Sequence, residues 1–168
     1  MNEQKNVLES TTILNSINKN GITVLNMFND DYRKFLTEIL ILESLNIKNT
    51  TALVFTLNHK KEDLIYNLPS TVAEGSLYLR HVQDNDWINM TVLTEKLNDS
   101  SIHITDECRT VDDIVLAISE YIRSSSKEIN FVLIDNLGEI ESDLSLTLIV
   151  KDLNIMAKHQ DISLIILK

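Results

Sequence analysis

The chain is poor in cysteine, and this absence narrows the kinds of site that it can form. Cys108 is the single cysteine among 168 residues, which excludes an internal disulfide and a paired-cysteine metal site. The four histidines, at positions 59, 81, 103 and 159, are widely separated and do not have the spacing of metal ligands. We therefore predict no metal site.

Long hydrophobic runs and an excess of positive charge are missing as well. The longest apolar runs, such as "LTLIV" and "SLIIL", fall far short of the ~20 residues that a membrane span needs, and the N-terminal "MNEQKNVLES" lacks the apolar core of a secretory signal. These features predict a cytoplasmic protein with no membrane partner. The formal net charge of −10 disfavours direct DNA binding, because affinity for nucleic acid comes largely from Lys and Arg at phosphates.

Glycine and proline are scarce too, with three glycines and one proline, and no composition shift marks a linker. A hydrophobic content of 43% is enough for a packed core. We predict one domain over residues 1–168, in which residues 1–10 are a candidate disordered segment. Five short apolar and β-branched runs predict strands that are covered on both faces: 22–27, 52–57, 102–105, 131–135 and 163–167.

Helical patterns lie between these strands. Apolar residues repeat at helical spacing in "RKFLTEILILESL" (33–45), "VDDIVLAISEYI" (111–122) and "SLTLIVKDLNIMAK" (145–158), and at rougher intervals in "DNDWINMTVLTEKL" (84–97), where Trp87 is read as a packing residue. Thr110 and Asp113 predict a capping box with Asp in place of Glu. Alternating strands and helices predict an α/β fold with three layers and a mainly parallel sheet.

One strand ends in a carboxylate that has a known chemical use. In "FVLIDNLGEI" (131–140), four apolar residues precede Asp135, which is the form of a Walker B strand, where the carboxylate helps to hold Mg²⁺. Read in order with 52–68, 86–123 and 148–167, this segment resembles the RecA-like C-terminal ATPase domain of DnaB-type replicative DNA helicases. The resemblance runs from about Val7 to the end of the chain and implies a RecA-like P-loop NTPase fold with at least five strands.

The resemblance also shows which site residues have changed. The phosphate loop of the family has the form G-x-x-x-x-G-K-[ST], and its four defining positions fall on Asn26, Asp31, Tyr32 and Arg33. Both glycines, the lysine and the hydroxyl are absent. At the position of the glutamate that activates water stands Asn58, and an amide is no general base near neutral pH. We therefore expect no catalytic residue, no bound cofactor and a degenerate nucleotide site in which Asp135 remains.

Two further departures concern DNA contact and assembly. After Asp135 the family carries a longer loop with basic residues, whereas "NLGEIESDLSLT" (136–147) is short and acidic, and Lys168 precedes the family's arginine finger. We expect a non-catalytic pseudo-ATPase that acts through protein contacts, with a DnaB-type helicase, a helicase loader or its own copies as partner. Three alternatives stay open: a divergent nucleotide-binding helicase domain that uses Arg33, Lys34 and Asp135, a helicase fragment without a function, and a nucleic-acid-binding remnant, which the acidic charge disfavours.

Overall fold

The computed structural model describes residues 17, 20–27, 29–46, 50–75 and 95–168. The predicted disorder of residues 1–10 lies outside these ranges. So does most of the helix predicted at 84–97, including Trp87, although residues 95–99 are helical. No helix within the described ranges is long and apolar enough to cross a membrane.

Strands and helices alternate along the described chain, and each of the five predicted strands is confirmed to within two residues. In the described part of the chain four long helices lie between the strands, in addition to the helical residues 95–99, and a short 3₁₀ turn follows the fourth strand. The elements are β1 (Gly21–Leu25), α1 (Asp30–Asn46), β2 (Thr51–Thr56), α2 (Lys61–Gly75), β3 (Ser101–Thr105), α3 (Val111–Ser124), β4 (Phe131–Asp135), the 3₁₀ turn (Leu137–Glu139), α4 (Leu146–His159) and β5 (Ser163–Leu167).

The five strands form one sheet in the order β1-β5-β4-β2-β3, and every pairing is parallel. Strands β4 and β5, which come later in the chain, therefore lie between β1 and β2 in the sheet. Because all strands run the same way, their last residues lie along one edge, which we call the carboxyl edge. It carries the connections that follow β1, β2, β3 and β4, where ligands of open α/β sheets usually bind.

Helices cover both faces of the sheet, which gives the predicted three layers. Alternate residues of a strand point to opposite faces, and in β4 the side chain of Leu133 packs with α1 and α2, while Val132 and Ile134 pack with α3 and α4. All three side chains are fully buried. The central strands therefore face apolar packing on both sides, as their continuous hydrophobic pattern predicted.

The predicted capping box at the start of α3 is confirmed. The Thr110 hydroxyl accepts from the backbone N–H of Asp113 at 3.1 Å, and Asp113 Oδ2 accepts from the N–H groups of Thr110 and Arg109 at 2.9 and 3.0 Å. The Arg109 N–H, followed by the Thr110 groups, holds the pKa of Asp113 below its usual value. This capped helix begins directly after the carboxyl edge and fixes the loop that carries Arg109.

Candidate functional site

The connection between β1 and α1 occupies the place of a phosphate loop at the carboxyl edge. Met27 donates its N–H to the Lys168 carbonyl at 2.7 Å, and Lys168 donates to the Leu25 carbonyl at 2.9 Å, so pairing with β5 continues beyond the strand. A nest of N–H groups around an anion needs residues of left-handed conformation among right-handed ones. Of the described residues in this connection, 26, 27 and 29, none has a positive φ.

The first turn of α1 is closed by the chain's own oxygen atoms. Asn29 Oδ1 accepts from the backbone N–H of Tyr32 at 2.9 Å, so Asn29 acts as the N-cap. Asp30 and Asp31 follow in the first turn, where carboxylates interact favourably with the positive end of the helix dipole. Asn29 therefore satisfies one of the donors, and the two carboxylates complement the dipole, that attract phosphate in other proteins.

Arg33 lies one residue further along the same turn. Its Nη1 is 2.8 Å from Asp30 Oδ1, and its side chain is only 13% exposed. The Nε of Arg33 is buried and has no hydrogen-bond partner in the described part of the chain. The guanidinium is therefore tied to the start of α1 while part of it is shielded from water.

Asp135 ends β4 and is almost completely buried, with 1% of its surface exposed. Its Oδ1 accepts from the backbone N–H of Leu57 at 2.6 Å, whereas Oδ2 is buried without a hydrogen-bond partner among the described residues. Burial raises the pKa of this carboxyl above its usual value, although the Leu57 N–H, His59, the Thr56 hydroxyl and Arg33 act in the opposite direction. The carboxylate is thus only partly compensated by its surroundings.

The residues after β2 form a compact turn beside Asp135. The Thr56 hydroxyl donates to the His59 carbonyl and accepts from the His59 N–H at 3.3 Å. The Leu57 carbonyl accepts from Arg109 Nη1 at 2.9 Å, so Leu57 is held by Asp135 on its N–H side and by Arg109 on its carbonyl side. Asn58, at the tip of this turn, is exposed.

The N-terminus of α2 is closed in a similar way. Asp106, which follows β3, accepts through Oδ2 from the backbone N–H of Lys61 at 3.2 Å. A carboxylate therefore stands at the first turn of α2, as side-chain oxygens do at the first turn of α1. Both helices on this face of the sheet begin at the carboxyl edge with an acceptor supplied by the protein itself.

Two solved structures are similar to this arrangement of strands and helices. The first is an ATPase domain, which matches with a TM-score of 0.69 and 18% identity, over 89% of this chain and 57% of that chain. The second is a DnaB-like replicative helicase, solved to describe its interactions with primase, which matches with a TM-score of 0.67 and 20% identity, over 90% of this chain and 39% of that one. The chain has a RecA-like fold.

The likeness to DnaB-type ATPase domains is therefore one of structure. No model of a known protein family matches the sequence, and no curated protein matches it either. The chain spans little more than half of the first solved structure and about two fifths of the second. The predicted α/β fold with a mainly parallel sheet of at least five strands, and the RecA-like fold that the resemblance implied, are confirmed.

All six predicted positions of the degenerate nucleotide site lie along the carboxyl edge of this RecA-like domain, but only two of them are shielded from water. Arg33 and Asp135 are largely or fully buried, and the Arg33 charge lowers the pKa of Asp135 against the effect of burial. The other four are exposed: Asn26, Asp31, Tyr32 and Asn58. What these six residues do stays a prediction.

Sequence reasoning missed Arg109, Thr56 and Asp106, which shape this edge. The sheet order brings the loops after β2, β3 and β4 together, and no local pattern marks these residues. Their one sequence signal is their place just before or after a strand end. Within the described ranges no group of three or more His, Cys, Asp and Glu side chains is arranged to hold a metal ion.

Proposed function

We propose that this RecA-like domain is a pseudo-ATPase, a non-catalytic domain that acts through protein contacts. The observation that carries the proposal is the closed first turn of α1. There the Tyr32 N–H donates to Asn29 at 2.9 Å, and Asp30 and Asp31 occupy the positive end of the helix. A polyphosphate would have to displace an internal acceptor and approach two carboxylates, which oppose its charge.

The other residues of the edge do not fit Mg²⁺–ATP either. The connection after β1 continues its pairing with β5 through Met27 and Lys168 instead of curling around an anion. Side chains at Asn26 and Asp31 stand where glycines allow a close approach of the backbone to phosphate. Asn58 offers no base to activate water. Asp135 alone keeps the chemistry of the nucleotide site, and one carboxylate does not bind a nucleotide.

The retained scaffold supports a role in assembly. A domain with the shape of a helicase ATPase domain, but without a working nucleotide site, would dock as a subunit and halt or cap a ring whose contacts repeat head to tail. The partner class that we propose is a DnaB-type helicase, its loader or further copies of this chain. DNA is not the proposed ligand, because the net charge of −10 opposes it.

Thermal melting with and without Mg²⁺–ATP tests the loss of nucleotide binding. A ligand at about 100 times its Kd stabilises the native state by about 2.7 kcal/mol, which corresponds to a rise in Tm of roughly 5–10 °C for a domain of this size. We expect no rise at millimolar ATP, while an active DnaB-type ATPase domain melted in parallel shows one. A saturable rise in Tm would overturn the pseudo-ATPase proposal.

Co-elution with a DnaB-type helicase, followed by its ATPase and unwinding rates, tests the proposed partner. We expect a complex on size-exclusion chromatography and a lower rate of unwinding. If the two proteins elute separately and the helicase keeps its rates, and the chain also remains monomeric by itself, action through ring contacts is refuted.

The alternative is a divergent nucleotide-binding domain that uses Arg33, Lys34 and Asp135. The observation in its favour is Asp135 Oδ2, a buried acceptor without a partner among the described residues. The same melting experiment separates the two functions. A rise in Tm that requires both Mg²⁺ and ATP, and that Asp135→Asn abolishes, would favour this alternative.

A further inference from the structure

A cavity of about 320 Å³ lies at the amino edge of the sheet, which is the edge where the strands begin. It is lined by residues 125–129, which lead into β4, by residues 160–162, which lead into β5, and by Ile122 in the last turn of α3. The positions of the degenerate nucleotide site lie at the carboxyl edge, on the opposite side of the sheet. This cavity is therefore separate from them.

Two helices, α3 and α4, end beside this cavity. The N–H of Ser125 closes α3 by donating to the Tyr121 carbonyl at 2.9 Å. Gln160 closes α4 in the same way, with the Met156 carbonyl as acceptor at 2.9 Å. The carbonyls beyond these in each last turn have no partner within their helix, and the end of a helix carries partial negative charge. Both helix ends therefore favour a cation at this place.

The charged side chains of the lining add to this preference. Glu128 and Asp161 are exposed carboxylates, one from each lining segment, and no ion pair of the described chain involves either of them. Lys127 is the one cation of the lining. Its Nζ donates to Ser101 Oγ at 2.5 Å, at the start of β3 and outside the lining, so its charge is held away from the cavity.

The floor of the cavity is apolar. Ile129 and Ile162 are buried, and Ile122 is 37% exposed beside them. Arg123 and Lys158, the basic residues of the two last turns, are exposed and are not part of the lining. The cavity thus combines an apolar floor with acceptors of negative charge, which suits a ligand with an apolar stem and a cationic head.

We propose that this cavity binds an arginine side chain of a partner protein. The guanidinium carries several N–H donors in one plane, which match carboxylate and carbonyl acceptors, and its stem packs on the isoleucines. Arginine is also one of the residues that most often anchor protein interfaces in pockets. The inference rests on the proposed function, because it names an anchor for the protein contacts through which the domain acts.

Titration of the isotope-labelled chain with N-acetyl-arginine amide, followed by NMR spectra of its backbone amides, tests this assignment. N-acetyl-citrulline amide is the paired probe, because citrulline has nearly the shape of arginine but no charge. We expect saturable shifts for the amides of 125–129 and 160–162 with the arginine probe. The Kd of the citrulline probe should be at least about fivefold higher, since hydrogen bonds between charged groups are the stronger ones.

Two variants each remove one carboxylate of the lining and keep its shape: Glu128→Gln and Asp161→Asn. Asp161 has a φ of 59°, in the left-handed region, which asparagine also adopts, so the turn is kept. Each variant should raise the Kd of the arginine probe at least about threefold, and the double variant should abolish saturation. Asp143→Asn, at an exposed carboxylate after β4, is the matched control for the loss of one negative charge and should change the Kd by less than about twofold.

Other results overturn the assignment. Shifts that do not saturate, or that centre on residues outside the lining, refute the site. An equal Kd for the two probes means that the cavity does not select a cation. Equal weakening by Asp161→Asn and Asp143→Asn means that the probe responds only to the acidic surface. If Asp161→Asn fails to fold, Glu128→Gln decides by itself.

Co-elution with a DnaB-type helicase tests whether the arginine belongs to a protein. Asp161→Asn should weaken the complex and Asp143→Asn should not, whereas a complex that Asp161→Asn leaves unchanged would refute the role of the cavity in protein contacts. A rise in Tm with Mg²⁺–ATP would overturn the pseudo-ATPase proposal and leave the binding of the arginine probe as it is, so the two proposals fail separately.

Discussion

Replacing Asp135 by asparagine should stabilise the domain at neutral pH. The amide is close to the carboxylate in shape, and its Oδ1 can still accept from the Leu57 N–H, which now lies 2.6 Å from the carboxylate. The substitution removes a charge from a residue that is 1% exposed. A buried acceptor without a partner costs about 1–3 kcal/mol, and more when charged. The new amide N–H₂ requires an acceptor of its own and offsets part of this gain.

We expect a net gain of about 1 kcal/mol in the free energy of unfolding at pH 7.5, or a rise in Tm of roughly 2–4 °C. The gain should depend on pH in a definite direction. Burial raises the pKa of Asp135 in the folded state, with His59 and Arg33 as the charged groups that oppose it. Stability from this group is complete below its unfolded pKa and is lost as the pH rises through its folded pKa.

The advantage of Asp135→Asn should therefore be small in acid and grow as the pH rises. One proton limits its slope to about 1.4 kcal/mol per pH unit. Urea unfolding, followed by circular dichroism at a series of pH values, measures the difference in free energy of unfolding between Asp135→Asn and the unchanged chain. Asp143→Asn, at an exposed carboxylate in the acidic loop, is the matched control. Its free energy of unfolding should change with pH in the same way as that of the unchanged chain. An advantage that shrinks with rising pH would show that the surroundings of Asp135 favour its charged form.

Two further predictions concern the fold. Leu133→Ala, in the middle of β4, should lower the free energy of unfolding by about 2–5 kcal/mol in urea titrations, whereas Leu116→Ala, at a side chain 59% exposed on α3, should change it by less than about 0.5 kcal/mol. Equal losses would contradict the central place of β4. Asn136 has a φ of 47°, so Asn136→Ala should cost about 1–2 kcal/mol in thermal melts. Asn136→Gly should cost less, and the reverse order would count against the left-handed turn after Asp135.

Much of the candidate site could be predicted from the sequence because it depends on local features. The absence of glycine and lysine from residues 26–33, and the end of an apolar run at Asp135, can be read without a structure. The burial of the Arg33 and Asp135 side chains could not be predicted in this way. Arg33 and Asp135 are separated by β2, α2, β3 and α3 along the chain, and how far each side chain is shielded from water depends on how these elements pack.

The sequence by itself determined the positions of the strands, of α1, α3 and α4, and of the capping box at Thr110, because periodicity and capping act within a few residues. It did not predict α2. Only the tertiary structure decided that β5 lies between β1 and β4, so that pairing beyond Leu25 can continue onto Lys168. It also decided that Leu57 is held from both sides by Asp135 and Arg109. Burial and hydrogen bonding depend on the whole sheet, and for that reason the charge state of the groups along the carboxyl edge depends on the tertiary structure.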